Sequence, residues 1–221
     1  MSKIIGRKHE IEELERLYDS DRPEFVAIYG RRRVGKTFLI KQALKGRFTF
    51  QHTGVSPVDQ KDERNRMKTQ LESFYFSLLN HGLEGYQQPK SWMEAFFQLI
   101  QLLQSQDRGQ RMVIFLDELP WMDTPRSRFL SAFESFWNGW CSGHDNIMLI
   151  VCGSATSWIL SNLSRNKGGL YGRLTCQIKL SPFTLKECEE YFDHENIEMS
   201  RYDILQTYMV FGGLPYYLSY F

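Results

Sequence analysis

Short, wholly apolar runs alternate along this chain with longer segments in which apolar residues recur every three or four positions. Phe25-Val26-Ala27-Ile28-Tyr29, Met112-Val113-Ile114-Phe115-Leu116 and Ile147-Met148-Leu149-Ile150-Val151-Cys152 are short and rich in β-branched or aromatic residues. Runs of this kind predict strands covered on both faces. Arg47 to His52 alternates as a further strand, and Thr175 to Leu180 predicts the last one. Helical spacing places Ile11, Leu14 and Leu17 on one face, and Phe38 to Lys45 reads as a helix closed by Gly46. A polar helix runs from about Asp62 through Leu71, Phe74 and Leu78, and another carries Trp92, Phe96, Leu99, Ile100 and Leu103. Phe129, Leu130, Phe133, Phe136, Trp137 and Trp140 form an aromatic stripe that reads as core packed on a sheet. Ser157 to Leu163, Leu185 to Phe192 and Tyr202 to Val210 complete the predicted helices. Strands alternating with helices through Leu180 argue for an α/β fold, a parallel sheet with helices on both faces.

Composition narrows the class. At 42% hydrophobic residues, 221 residues can bury a sizeable core. Lys and Arg number 27 against 26 Asp and Glu, so the net charge of +1 gives a nucleic-acid role no direct support. Cys141, Cys152, Cys176 and Cys188 show no metal-ligand spacing and read as reduced thiols. No run approaches membrane-spanning length, and the charged, helical N-terminus is unlike a signal segment, so a cytoplasmic protein is expected.

Gly30 to Thr37, GRRRVGKT, matches G-x-x-x-x-G-K-[ST] without a gap, between a strand and a helix. This is the phosphate-cradling P-loop, or Walker A motif. Its glycines let backbone amides converge on phosphate oxygens at the positive end of the following helix. Lys36 is placed to reach the β- and γ-phosphates, and the Thr37 hydroxyl to ligate Mg²⁺. Arg31, Arg32 and Arg33 read as solvated loop charge without individual roles. As part of the loop, Gly30, Arg33, Val34, Gly35, Lys36, Thr37 and Phe38 make up the expected phosphate-binding set. About 80 residues downstream, the apolar strand into Asp117-Glu118 ends in two acids, which are costly to bury without a positive partner. Asp117 suits the Walker B role of holding Mg²⁺, and Glu118 that of polarising the attacking water. Ser154, at the tip of the next apolar strand, is either a γ-phosphate contact or an ordinary turn residue.

The set IIGRKHE, IYGRRRVGKT, VIFLDELPW, IVCGSATSW, GGLYGRLT and FGGLPYYL, in that order, resembles the archaeal-type ATPase family within the AAA+/STAND P-loop ATPases. The resemblance implies a sheet of strand order 5-1-4-3-2 in an ATPase core over residues 1–180, followed over 181–221 by the first part of a helical lid. It implies that Arg7, in the Gly6-Arg7-x-x-Glu10 element, packs near the adenine and that Ser154 occupies the sensor-1 position. It further implies that Arg173 is an arginine finger for a neighbouring subunit, with a structural ion pair as the alternative, and that Pro215 of Gly213-Leu214-Pro215 lies near the base. No lid arginine of the sensor-2 kind is evident. ATP or ADP with Mg²⁺ is the expected ligand, and a homo-oligomer or a C-terminal effector domain the expected partner. Family members usually carry a further C-terminal portion, so ending on Tyr216 to Phe221 predicts a chain cut short of its natural terminus.

Three activities are compatible with these residues: an ATPase, a slowly hydrolysing ATP/ADP switch, and a GTPase. The GTPase fits worst, because Asn166-Lys167 is followed by Gly168-Gly169 rather than completing N-K-x-D.

Overall fold

A computed structural model describes residues 4–57, 65–165 and 168–221. Five strands, β1 (Glu24–Tyr29), β2 (Phe48–Thr53), β3 (Met112–Asp117), β4 (Ile147–Gly153) and β5 (Cys176–Lys179), form one sheet of order β2-β3-β4-β1-β5. Every pairing is parallel, and the order is the expected one read from the opposite edge.

Side chains in a strand point alternately to the two faces, and here both faces are covered. Phe25, Ala27, Ile114, Leu116, Leu149 and Val151 enter one hydrophobic cluster. Their neighbours Val26, Ile28, Val113, Phe115, Met148, Ile150 and Cys152 enter the other. That two-sided burial is why these strands read as unbroken apolar runs. Helices α1 (Lys8–Tyr18) and α2 (Lys36–Ala43) contribute Leu14, Leu17, Leu39 and Ile40 to the second cluster. The first is filled from α3 (Arg66–Asn80), α4 (Trp92–Gln106) and α6 (Phe129–Gly139), which follows the four-residue α5 (Leu119–Met122). The aromatic stripe of α6 is core as read: Trp137 lies 4.7 Å from Phe25, and Phe136 stacks on Phe96 at 5.0 Å, between ring centroids.

Beyond β4, the predicted helix is short, α7 (Thr156–Ile159), and continues as a π-helix over Leu160–Arg165. Asn166-Lys167 and the predicted helix start at Asp62 lie outside the described residues. After β5, α8 (Leu185–His194), α9 (Arg201–Phe211) and α10 (Pro215–Leu218) enclose a separate small cluster of Phe183, Cys188, Phe192, Ile204 and Leu218. Thr184 and Glu187 form a reciprocal capping box that starts α8. The four cysteines are free. Among the described residues, no helix is long and apolar enough to cross a membrane.

Inside the sheet-facing core, β2 carries a buried His52 whose ring meets Phe74 edge-on at 5.0 Å. Its Nδ1 lies 2.8 Å from the Ser77 hydroxyl, while Nε2 has no partner among the described residues. Burial, with a smaller contribution from His81, pushes its pKa down to about 3. The unfolded chain therefore binds one more proton than the fold between pH 6.5 and 3, and stability must fall as pH drops through that window. Urea unfolding at pH 7 and pH 5 should show wild type losing about 2 kcal/mol more than His52→Gln. Equal losses in the two proteins would mean that His52 does not carry the acid sensitivity.

Candidate functional site

At the carboxyl edge of the sheet, Gly30 follows β1 directly and lies beneath the carbonyl of Leu180; a Cβ there would sit 2.3 Å from that oxygen. Only glycine tolerates this approach, and it fixes where the loop to α2 begins. Lys36, at the start of α2, is buried, and its ammonium donates to the carbonyls of Gly30 and Arg31, each at 3.1 Å. The loop is thereby closed on itself around a cation. The next residue, Thr37, donates its hydroxyl to Asp117 Oδ2 at 2.8 Å. Asp117 is buried at the tip of β3, and its Oδ1 accepts the Glu118 amide at 3.0 Å. Glu118 stands in the left-handed region (φ 47°), and its Oε2 accepts both the amide and the hydroxyl of Ser154, each at 3.1 Å. Three strand tips thus converge through hydrogen bonds among residues far apart in sequence.

Downstream of Glu118, Asp123 accepts the Trp158 indole N–H at 2.9 Å and ties the segment after β3 to α7. Burial pushes this carboxyl up, against the opposing effect of that bond.

A second group of residues faces this edge from the other side. Arg7 is buried, donates to the Ser181 carbonyl, pairs with Glu10 at 3.6 Å and stacks over Phe183 with its guanidinium carbon 5.0 Å from the ring centroid. The Phe183 amide donates to the Gly213 carbonyl at 2.8 Å. A Cβ on Gly213 would fall 2.2 Å from the Phe183 carbonyl oxygen, and φ there is +66°. The N-terminal Arg7 element and the Gly213-Leu214-Pro215 segment therefore meet on the same short strap, Ser181 to Phe183.

Between the two groups lies a cleft of about 490 Å³, within the range of small-molecule sites. Arg7, Arg33, Val34, Gly35, Lys36, Thr37, Phe38, Glu118 and Pro215 line it. Gly30 and Asp117 lie behind that wall through their bonds to Lys36 and Thr37, and Ser154 through its bonds to Glu118. Arg173 is elsewhere. Two residues on, Thr175 donates to the Phe25 carbonyl at the opposite edge, where the strands begin. β1 spans six residues, so about 20 Å separate Arg173 from the loop at the other end. Its side chain is exposed, and it forms no ion pair or side-chain hydrogen bond among the described residues.

Sequence reasoning gave no individual role to Ile4, Ile5, Phe183, Tyr191, Glu195 or Tyr216, which also line the cleft. For Ile4, Ile5 and Tyr216 the available signal was adjacency to Arg7 and Pro215; Phe183, Tyr191 and Glu195 carried none. Apart from Glu195 these residues are apolar or aromatic, and that character at one end, with the loop amides and Lys36 at the other, suits a ligand with a flat ring and an anionic tail. Thr37 and Asp117 offer a hydroxyl and a carboxylate oxygen side by side. No cluster of three or more His, Cys, Asp or Glu suited to a metal occurs among the described residues. Such a pair fits a hard ion that keeps most of its shell from water and phosphate, as Mg²⁺ does, and not a protein cage.

A family profile described as an ATPase domain predominantly from Archaea matches residues 4–221. An uncharacterized protein of Methanocaldococcus jannaschii is 28% identical over 216 residues, covering 98% of this chain and 43% of its own length. The Walker-type ATPase of Pyrococcus abyssi superposes with a TM-score of 0.66 at 19% identity, over 97% of this chain and 65% of that one. The ORC2 protein of Aeropyrum pernix, solved as ADPNP–ADP complexes, superposes with a TM-score of 0.58 at 17% identity, over 86% of this chain and 51% of that one. The chain thus spans less than half the length of the curated relative. The match along nearly its whole length, the five-stranded parallel sheet and the phosphate loop agree: this chain belongs to the archaeal ATPase family.

Proposed function

We propose that this chain is the nucleotide-binding and hydrolysing module of a larger protein, using ATP with Mg²⁺ to drive or gate a conformational change. The single observation that carries the reading is the 2.8 Å bond between Thr37 and Asp117, which joins the phosphate loop to the acidic strand tip. The purine would lie between Phe183, Pro215 and Ile4–Ile5, and the phosphates would reach the amides from Gly30 to Lys36 at the positive end of α2. Lys36 would exchange the carbonyls it now holds for phosphate oxygens. Thr37 and Asp117 would hold Mg²⁺, which when bound neutralises charge on the phosphate oxygens.

Hydrolysis requires a base near the terminal phosphate. Glu118 lines the cleft beside Lys36 and Thr37, which supports reading it as the group that orients water for in-line attack. Ser154 spends its amide and hydroxyl on one Glu118 oxygen, so its part in this reading is to position that base as well as to sense the γ-phosphate. Arg173 cannot serve its own cleft from the far edge of the sheet. Its exposed, unpaired guanidinium suits action on the nucleotide of a second copy, where an arginine finger is worth about 10³-fold or more in rate. The charge balance and the lining of the cleft add nothing in favour of nucleic acid as substrate.

Glu118→Gln should bind Mg·ATP by calorimetry with wild-type affinity while phosphate release falls by about 10²–10⁴-fold. Undiminished hydrolysis would remove Glu118 from the mechanism, and no heat from wild type with Mg·ATP or Mg·ADP would remove the whole reading. Arg173→Ala should bind ATP normally and hydrolyse slowly. Mixed with Lys36→Ala, itself inactive, it should recover activity, because each variant supplies what the other lacks. A mixture no faster than the two proteins apart would restrict Arg173 to its own chain.

A further inference from the structure

Arg33 occupies the third position between the glycines of the phosphate loop, in a conformation that favours glycine: its φ is +69°. A side chain in the left-handed region carries a backbone cost, so its retention calls for compensating contacts. Arg33 has them, all in one place. Its Nη1 donates to the Tyr217 hydroxyl at 2.6 Å. Its guanidinium carbon sits 4.5 Å from the ring centroid of Tyr216 and 5.2 Å from that of Tyr217. These tyrosines follow Pro215 directly, and Tyr217 packs with Leu214 against the cluster that holds α2.

We propose that Arg33 is a positioning residue that latches the α10 segment to the phosphate loop, so that the base end of the cleft opens only when this contact breaks. The assignment rests on the nucleotide reading above and names the regulation of that same site. Arg33, Tyr216 and Pro215 line one cleft, so holding the two tyrosines also holds Pro215 over the purine position. A planar guanidinium can donate to a hydroxyl and lie on a ring at once, and a lysine ammonium cannot match this geometry. The predicted consequence is slow nucleotide exchange: release must wait for a stack and a hydrogen bond to break together. Lid coupling then needs no sensor-2 arginine, because the loop itself supplies the arginine and the lid supplies the aromatic rings.

The test measures release of a fluorescent N-methylanthraniloyl ADP, chased with unlabelled ADP, from wild type, Arg33→Gly, Tyr217→Phe and the double variant. Thermal midpoints without nucleotide are taken for each. Arg33→Gly should release label about tenfold faster, while its nucleotide-free midpoint is not lowered, because glycine suits the left-handed φ. Tyr217→Phe, which changes no charge, should also speed release, and the double variant should be no faster than Arg33→Gly alone. Release from Tyr217→Phe at the wild-type rate would overturn the latch and leave only lost positive potential. So would accelerations that multiply in the double variant. If wild type binds no labelled ADP, the nucleotide reading falls and takes the latch with it. Retention by wild type with unchanged release from Arg33→Gly sinks the latch alone.

Discussion

A buried carboxylate needs partners, and the arrangement of this molecule around Asp117 shows how they are supplied. Desolvating an unpaired carboxylate would cost several kcal/mol. The Thr37 hydroxyl takes one Asp117 oxygen and the Glu118 amide takes the other. For Thr37 to arrive there, the loop must leave β1 at Gly30, beneath Leu180, and bring the first turn of α2 to the tip of β3. For the Glu118 amide to arrive there, the chain after β3 must bend at once, and it does so by placing Glu118 in the left-handed region. That bend delivers the Glu118 carboxylate to Ser154 at the tip of β4. Satisfying one buried acid thus aligns the loop, the Glu118 carboxylate and the neighbouring strand.

Backbone strain follows the same geography. Six non-glycine residues have positive φ among the described residues, and three of them, Arg7, Arg33 and Glu118, line the cleft. Each offsets its conformational cost with contacts that a relaxed backbone would not place: Arg7 on Ser181 and Phe183, Arg33 on the two tyrosines, Glu118 on Ser154. Strain of about 1–3 kcal/mol persists only where the surroundings over-determine it. Its concentration here fits a cleft whose walls are held in place before any ligand arrives.

Much of this was legible in the sequence, for identifiable reasons. The central strands announced themselves because covering both faces of a parallel sheet requires continuous apolar runs, and β1, β3 and β4 have them. The phosphate loop and Asp117 were legible because each lies within a local pattern whose spacing is set by backbone geometry. Short elements were not: α5 and α10 hold four residues each, too few for a period to show. The π-helix after α7 was invisible for a related reason, since its hydrogen-bond register shifts without a change in composition. Arg33 read as solvated charge because its partner Tyr217 lies 184 residues away. For Ser154 the sequence left a γ-phosphate contact and an ordinary turn residue both open, and it did not disclose the bonds of its amide and hydroxyl to Glu118. No single-residue pattern encodes a contact between the tips of two strands.

The base end of the cleft draws on two hydrophobic clusters, Ile4, Leu214 and Tyr217 resting on the one that also holds the phosphate loop and Phe183 and Leu218 on the small one after β5, and this constrains how a ligand can act. The loop and α2 are fixed by the cluster on one face of the sheet, whereas Phe183 and Tyr191 belong to, or pack against, the small cluster after β5. A ligand touching both ends therefore spends binding energy on their relative position, which a ligand confined to either end cannot do. Such a ligand shifts the arrangement only by the difference in its affinity for open and closed forms. On the proposed nucleotide reading, phosphate contacts would fall at the loop end, which the core cluster holds in one arrangement. On that reading, discrimination between open and closed forms would come from the base end and from the contacts of Arg33 with Tyr216 and Tyr217. The conformational output proposed for this module would then be set less by how tightly phosphates are gripped than by what lies between Phe183 and Tyr217.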